Sequence, residues 1–173
     1  MTGEPIAPEI FTTDFVGKPG NRRFFLQARG GTGSESYLLE KEQVMALAER
    51  LRDMLVLIDQ ADTIRSAIPA RDPALNADEP DEAAWRVTTI GLGYEEDADR
   101  IIVVLQEGVE TDPENVVEGA ESTYLLRRDQ VRAFVLHALA VVAEGRPICQ
   151  LCGLPMDPEG HQCPASNGHH VSS

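Results

Sequence analysis

The chain repeats part of its own sequence, and this repeat restricts the possible folds more than any other feature. Residues 37–44 (YLLEKEQV) closely match residues 124–131 (YLLRRDQV). In both copies the apolar residues continue at intervals of three and four, which is typical of a helix with one buried face. The matching apolar positions are Val44, Leu47, Ala48, Leu51 and Leu55 in the first copy and Val131, Phe134, Val135, Ala138 and Val142 in the second.

Each copy is predicted to contain three strands followed by a helix. Short runs of apolar and β-branched residues, separated by turn-forming residues, indicate the strands. The predicted strands are 11–16, 22–29 and 36–39 before a helix at 42–60, and 85–94, 100–108 and 122–126 before a helix at 128–144. One unit of this size cannot bury both faces of its elements, so the two should share a core. The predicted fold class is α+β: two β-β-β-α repeats form a single antiparallel sheet of about six strands, with both helices on one face.

The segments outside the two units are expected to be exposed. Residues 1–10 contain two prolines and little pattern, which predicts a loose lead-in. Residues 62–84 contain three prolines and lose all periodicity, and Asp72 to Glu82 carries five acidic residues and no basic one. This composition predicts a linker or a long exposed loop. The predicted domain therefore spans 11–144, with a first half at 11–61, a linker at 62–84 and a second half at 85–144.

The sequence before residue 145 contains no familiar catalytic motif. Gly30-Gly31-Thr32-Gly33 is glycine-rich, but it lacks the lysine of a phosphate-binding loop and precedes a strand, so a hairpin turn is predicted. His137 matches Arg50 in the repeat and lies off the apolar stripe. It is predicted to lie at the surface.

The last part of the chain, residues 145–173, has the composition of a metal site. All three cysteines and three of the four histidines lie at or after Cys149. Cys149 and Cys152 form a C-x-x-C step, and the Asp-Pro-Glu-Gly turn at 157–160 should bring His161 and Cys163 back beside them. Thiolates and imidazole in this spacing are typical ligands of tetrahedral zinc. We therefore predict a zinc knuckle with these four ligands.

The cysteines and histidines of the tail also allow other interpretations. His169 or His170 could replace His161 as the fourth ligand. A redox pair should precede a helix, and Gly-Leu-Pro after Cys152 is a poor helix start. An odd cysteine count and the lack of a signal peptide argue against a disulfide framework. A filled Cys₃His set favours structural over catalytic zinc, since a catalytic ion keeps an open position.

Charge and hydropathy exclude several partners. The formal net charge is −14 and the pI is about 4.6, so broad binding to nucleic-acid phosphates is not expected. The sequence has no apolar run long enough to cross a membrane and no charged-then-apolar leader. A cytoplasmic location is expected.

Two pairs of arginines stand out in so acidic a chain. Arg22 and Arg23 begin one predicted strand, and Arg127 and Arg128 begin the second predicted helix. Arginine suits bidentate recognition of phosphate or carboxylate, and a helix N-terminus adds unpaired N–H groups. If the fold brings the pairs together, they are predicted to bind an anionic small molecule.

The chain resembles the domain of unknown function family 3090, a bacterial family of actinobacterial type. The residues that carry the resemblance are FFLQAR at 24–29, GRPICQLCG at 145–153, DPEGHQCP at 157–164 and NGH at 167–169. The resemblance implies a small cytosolic protein, encoded near phosphatase-like and kinase-like genes. It also implies that Cys149, Cys152, His161 and Cys163 are the recurring ligand types. It implies no activity.

Two functions are consistent with these features of the sequence. The first is a non-catalytic binding or adaptor protein, whose zinc-stabilised tail docks another protein. The alternative is an enzyme, or an enzyme subunit, that acts on a phosphorylated small molecule. The first is favoured because no nucleophile, general base or cofactor-binding motif is found in the sequence.

Overall fold

The structure is a computed structural model that describes residues 3–31, 33–109, 114, 118–144, 146, 149–153, 156 and 161–166. Its strands are β1 (Ile10–Lys18), β2 (Asn21–Gly30), β3 (Gly33–Leu39), β4 (Val87–Glu95), β5 (Arg100–Glu107) and β6 (Glu121–Leu126). Its helices are α1 (Lys41–Asp59), α2 (Thr63–Ser66) and α3 (Arg128–Ala143), with short 3₁₀ turns at Pro73–Leu75 and Pro164–Ser166. The six predicted strands and two predicted helices are all present. None of the helices in these described ranges is long and apolar enough to span a bilayer.

The strands form two sheets, so the prediction of one six-stranded sheet is wrong. Strands β1, β2 and β3 form one antiparallel sheet, and strands β4, β5 and β6 form the other. Between the two sheets, Leu38 pairs in parallel with Arg86, and Ile6 pairs in parallel with Tyr124, each as an isolated bridge. Each bridge joins the last strand of one sheet to a residue that lies just before the first strand of the other sheet.

The residues before β1 are tied into the fold, so the prediction of a loose lead-in is wrong for the part that is described. The backbone N–H of Ile6 donates to Thr123 at 2.8 Å, and Leu125 donates to Ile6 at 2.8 Å. Pro8 is buried. The segment before β4 makes the equivalent contact, because Leu38 N–H donates to the Trp85 carbonyl at 3.0 Å. Each half therefore begins on the last strand of the other half.

A glutamine that occurs in both copies of the repeat holds these contacts. Gln43 Oε1 accepts the backbone N–H of Glu40 at 2.8 Å, and Gln130 Oε1 accepts that of Arg127 at 3.0 Å. Each side chain thus satisfies a free donor at the start of its own helix. The amide nitrogens reach the opposite half: Gln43 Nε2 donates to the Val87 carbonyl at 3.1 Å, and Gln130 Nε2 donates to the Pro8 carbonyl at 2.8 Å.

One hydrophobic core serves both halves, as predicted. It contains the inward faces of both sheets and the apolar stripes of α1 and α3. The ten matching stripe residues are buried, whereas Ile58, the next apolar position along the stripe of α1, is half-buried. Burial of each large aliphatic or aromatic side chain contributes about 1.5–3 kcal/mol, which makes this core the main source of stability.

Most residues of the segment at 62–84 are exposed, as predicted for a long loop, but Ile64 and Leu75 are buried and the segment covers part of the first sheet. Thr12 Oγ1 donates to the Leu75 carbonyl at 2.5 Å. The Gln27 side chain donates to the Asp78 carbonyl at 3.0 Å and accepts the Asp78 N–H at 3.1 Å. Thr12 and Gln27 lie on the face opposite the core, and both are fully or almost fully buried. The backbone of the segment supplies hydrogen-bond partners for these buried polar groups. The composition of the segment does not indicate this role.

His137 is also buried, so its predicted surface position is wrong. Its Nδ1 accepts the backbone N–H of Asp72 at 3.0 Å, and its Nε2 lies 3.1 Å from the Thr13 carbonyl oxygen. This arrangement requires the neutral ring with its proton on Nε2. Burial lowers the pKa of His137 below the ordinary histidine value. The histidine therefore joins α3 to β1 and to the segment at 62–84.

Tyr37 and Tyr124, matching residues of the repeat, meet inside the core. Their hydroxyl oxygens are 2.5 Å apart, and both side chains are buried. Both hydroxyls also hydrogen-bond Oε2 of Glu35, with Tyr124 at 3.2 Å, and Tyr37 contacts Ser122 Oγ at 3.0 Å. Burial raises the pKa of Tyr37 to about 12 and raises the pKa of Tyr124 as well, so both remain protonated at neutral pH.

The two halves have the same order of elements, three antiparallel strands and then a long helix. The superposition of the halves, with Tyr37 over Tyr124 and Val44 over Val131, stays a prediction, as do the proposed half boundaries. The chain divides into two compact units, Met1–Val142 and Ala143–Ser173.

Replacement of Tyr37 by Phe should destabilise the Met1–Val142 unit by about 1–3 kcal/mol, because it leaves buried polar groups with fewer partners. Tyr94→Phe is the control, since the Tyr94 hydroxyl binds Asp99 in an exposed network, and it should change the free energy of unfolding by about 0.5 kcal/mol or less. Urea unfolding, followed by the fluorescence of the single tryptophan, Trp85, measures both. Equal stability of Tyr37→Phe and the wild type would contradict this account of the tyrosine pair.

Acidification should destabilise the same unit through His137. Because the folded pKa is lowered, the unfolded chain binds the proton first as the pH falls. The contribution is fully present above about pH 6.5 and is lost as the pH drops from there towards the folded pKa. The Tm from Trp85 fluorescence should therefore fall between about pH 7 and pH 5.5 in the wild type, and fall less in His137→Gln. Parallel pH profiles for the two proteins would rule out this role.

Candidate metal centre

The four predicted ligands lie together in the tail unit. One candidate ligand atom from each of Cys149, Cys152, His161 and Cys163 can be chosen so that all four lie within 4.8 Å of one another. The sulfurs of Cys149 and Cys163 are 3.7 Å apart, and the Cys152 sulfur is 3.1 Å from His161 Nε2. The spacing along the sequence therefore does produce one cluster of ligand atoms.

The distance between the two buried sulfurs fits a tetrahedral metal ion. Two sulfurs that each bind zinc at about 2.3 Å in tetrahedral geometry lie about 3.8 Å from each other. The 3.7 Å between Cys149 and Cys163 is close to this value. It is also far longer than the roughly 2.05 Å of a disulfide bond, and all three cysteines are free thiols.

A tight turn after Cys149 positions the first two ligands. The backbone N–H of Gly153 donates to the Cys149 carbonyl at 2.9 Å. Gly153 has φ +71°, a left-handed conformation that a residue with a side chain adopts at a cost. The glycine next to the C-x-x-C step thus allows the turn that gathers the ligands.

The same turn prepares Cys149 for metal binding. Hydrogen bonds from the backbone N–H groups of Cys152 and Leu151 lower the pKa of the Cys149 thiol to about 6. The thiolate is the form that binds metal. These N–H groups hydrogen-bond the sulfur of a candidate ligand, and no side-chain pattern in the sequence identifies them.

Burial separates the ligands into two pairs. Cys149 and Cys163 are buried, while Cys152 and His161 are half-buried. Four protein ligands complete a tetrahedral shell, so the set has the composition of a closed site. The alternative ligands His169 and His170, and the predicted turn at 157–160, lie outside the described residues.

The arginines predicted to bind an anion have partners within the chain. Arg128 contacts Asp59 at 2.9 Å and Asp99 at 2.8 Å, and Arg127 contacts Asp129 at 2.9 Å. An anion at this position would therefore compete with carboxylates. Asp59 and Asp99 are distant from Arg128 in sequence, which is why the sequence did not indicate these pairs.

The other arginine pair lies on β2. The guanidinium carbon of Arg22 is 4.1 Å from the centre of the Phe15 ring, a cation–π contact. Arg23 is exposed. The predicted convergence of Arg22 and Arg23 with the arginines at the start of α3 stays a prediction.

Comparison with known proteins gives a family but no activity. A family described as "Protein of unknown function (DUF3090)" matches residues 6–163, which include every strand and all four candidate ligands. No curated protein and no solved structure matches the chain. The chain therefore belongs to the DUF3090 family, as the resemblance in its sequence predicted.

Proposed function

We propose that this member of the DUF3090 family is a non-catalytic binding protein of the cytoplasm, whose tail is held by a structural zinc ion and docks another protein. The observation that supports it most directly is the Cys149, Cys152, His161 and Cys163 cluster, with four candidate ligand atoms within 4.8 Å. A tail of about 30 residues cannot build a sufficient core of its own, and a metal ion supplies the missing stability.

The donor set favours zinc over harder cations. Three thiolates and one imidazole are soft or borderline ligands, which select zinc over magnesium or calcium. The thiols must also remain reduced in order to bind, and the cytoplasm maintains that state. The ion would bind the three sulfurs and His161 Nε2, and it would thereby cross-link the tail.

A closed ligand shell also supports the non-catalytic proposal. A catalytic zinc keeps one position open for water, and this cluster offers four protein ligands. The alternative, an enzyme acting on a phosphorylated small molecule, relies on the arginine pairs. Arg127 and Arg128 each bind a carboxylate of the same chain, so this alternative has less support.

Purified, reduced protein should contain about one zinc per chain, measured by metal analysis. If the binding free energy of a structural zinc is shared by four ligands, each contributes about 3 kcal/mol, so loss of one should weaken binding about 100-fold. Cys152→Ser and His161→Asn should both show this loss, while the double variant His169→Asn/His170→Asn should keep its zinc. Zinc loss in the double variant with retention in His161→Asn would assign the fourth ligand to the end of the chain. Protein without zinc would contradict the proposal.

The adaptor role predicts a protein partner that depends on the folded tail. Affinity capture from the native host should recover the same protein with wild-type bait and with Gln162→Ala, which changes an exposed tail residue that is not a ligand. Cys152→Ser should fail to recover it, although its Met1–Val142 unit should unfold as in the wild type. Equal capture by Cys152→Ser, or turnover of a phosphorylated metabolite by the pure protein, would contradict the adaptor role.

A further inference from the structure

A cavity of about 390 Å³ opens beside the tyrosine pair of the core, within the Met1–Val142 unit. Its lining comes from the residues before β1, from the end of β2 with Gly31, and from the start of β3. The lining combines apolar residues, Ile6, Ala7, Pro8 and Ala28, with Arg29, Ser34, Glu35 and glycines. A volume of this size and a mixed lining are typical of a small-molecule site.

The carboxylate of Glu35 is held in place at this cavity. Its Oε2 accepts a hydrogen bond from the hydroxyl of Tyr37 and lies 3.2 Å from the hydroxyl oxygen of Tyr124, and both tyrosines are buried. Glu35 as a residue is nevertheless exposed and lines the cavity. A carboxylate that is already oriented loses less conformational freedom when it binds a ligand than an unrestrained surface glutamate does.

The charged side chains at the cavity are Glu35 and Arg29. The Nη1 of Arg29 binds Asp78 Oδ2 at 3.1 Å and its Nη2 binds the Asn76 carbonyl at 2.6 Å. The positive charge of Arg29 is therefore balanced by Asp78. Among the residues that the structure describes, Glu35 makes no ion pair, and this favours a cation over an anion or a neutral compound as the ligand.

We propose that this cavity binds a small organic ammonium compound, with the ammonium group on the Glu35 carboxylate and the apolar body against Ile6 and Pro8. An ammonium group donates three hydrogen bonds, and the carboxylate accepts charge-assisted bonds of this kind. This function goes beyond the proposed docking of a protein by the tail, because the cavity belongs to the other unit of the chain.

The repeat supports a specific role for Glu35. The residue that matches Glu35 in the second copy is Ser122, whose hydroxyl also contacts the tyrosine pair. A serine at that position therefore suffices to bond a buried tyrosine hydroxyl. The carboxylate in the first half adds a charge to the lining of the cavity.

The test uses benzylamine as the probe and benzyl alcohol as its neutral analogue of the same shape. Titration of the full-length, zinc-loaded protein is followed by amide NMR shifts. Benzylamine should shift the amide resonances of residues 6, 7, 29–31 and 33–35, with a Kd of about 1 mM for a ligand of this size. Benzyl alcohol should bind at least about tenfold more weakly, because it lacks the charge.

Two variants separate the carboxylate from the cavity. Glu35→Gln retains an oxygen that can accept the tyrosine hydroxyls, and it should remove the preference for benzylamine over benzyl alcohol. Glu42→Gln, at an exposed acid on α1, should keep that preference. Gly31→Phe should weaken both probes, because an added Cβ meets no atom within 4 Å and its ring can occupy the cavity. Gly3→Phe, where a Cβ also meets no atom, should not.

Benzylamine binding that is unchanged in Glu35→Gln would overturn the proposal, and so would equal binding of the two probes by the wild type. Shifts confined to residues away from the cavity would also overturn it. Retained zinc and a wild-type Tm in each variant show that a loss of binding is not a loss of folding.

Discussion

The fold depends on an exchange of edges between its two halves. Residues before β1 pair with β6, and residues before β4 pair with β3, so that each half begins on the last strand of the other. Gln43 and Gln130 hold both exchanges while they complete the first turns of their own helices. Because the inward faces of both sheets then enclose one set of apolar side chains, neither half has a core of its own.

The elements and the core could be predicted from the sequence because they depend on local periodicity. The stripe from Val44 to Leu55 and its match from Val131 to Val142 indicated the two helices and their buried faces. The pairing of sheet edges could not be predicted, since it depends on two isolated bridges between distant residues. The buried position of His137 could not be predicted for a related reason. The groups that hydrogen-bond its ring, on Asp72 and Thr13, lie far from it in the chain.

The ligands of the metal centre could be predicted because their spacing is itself a local property. The C-x-x-C step and the returning His161 and Cys163 suffice to indicate a four-ligand cluster. The backbone N–H groups that lower the pKa of Cys149 become visible only in the folded turn. Glu35 could not be recognised at all from sequence, because its role depends on two tyrosines, from different halves, that meet in the core.

The most direct test of the shared core is to cut the chain between its halves, at the exposed residues 81 and 82. Fragments 1–81 and 82–173 are purified separately, and their amide NMR spectra and urea unfolding are compared, alone at low concentration and after mixing. The shared core predicts that neither fragment folds cooperatively as a monomer and that an equimolar mixture regains the dispersed spectrum of the intact protein. Cooperative unfolding of either fragment as an isolated monomer would contradict it.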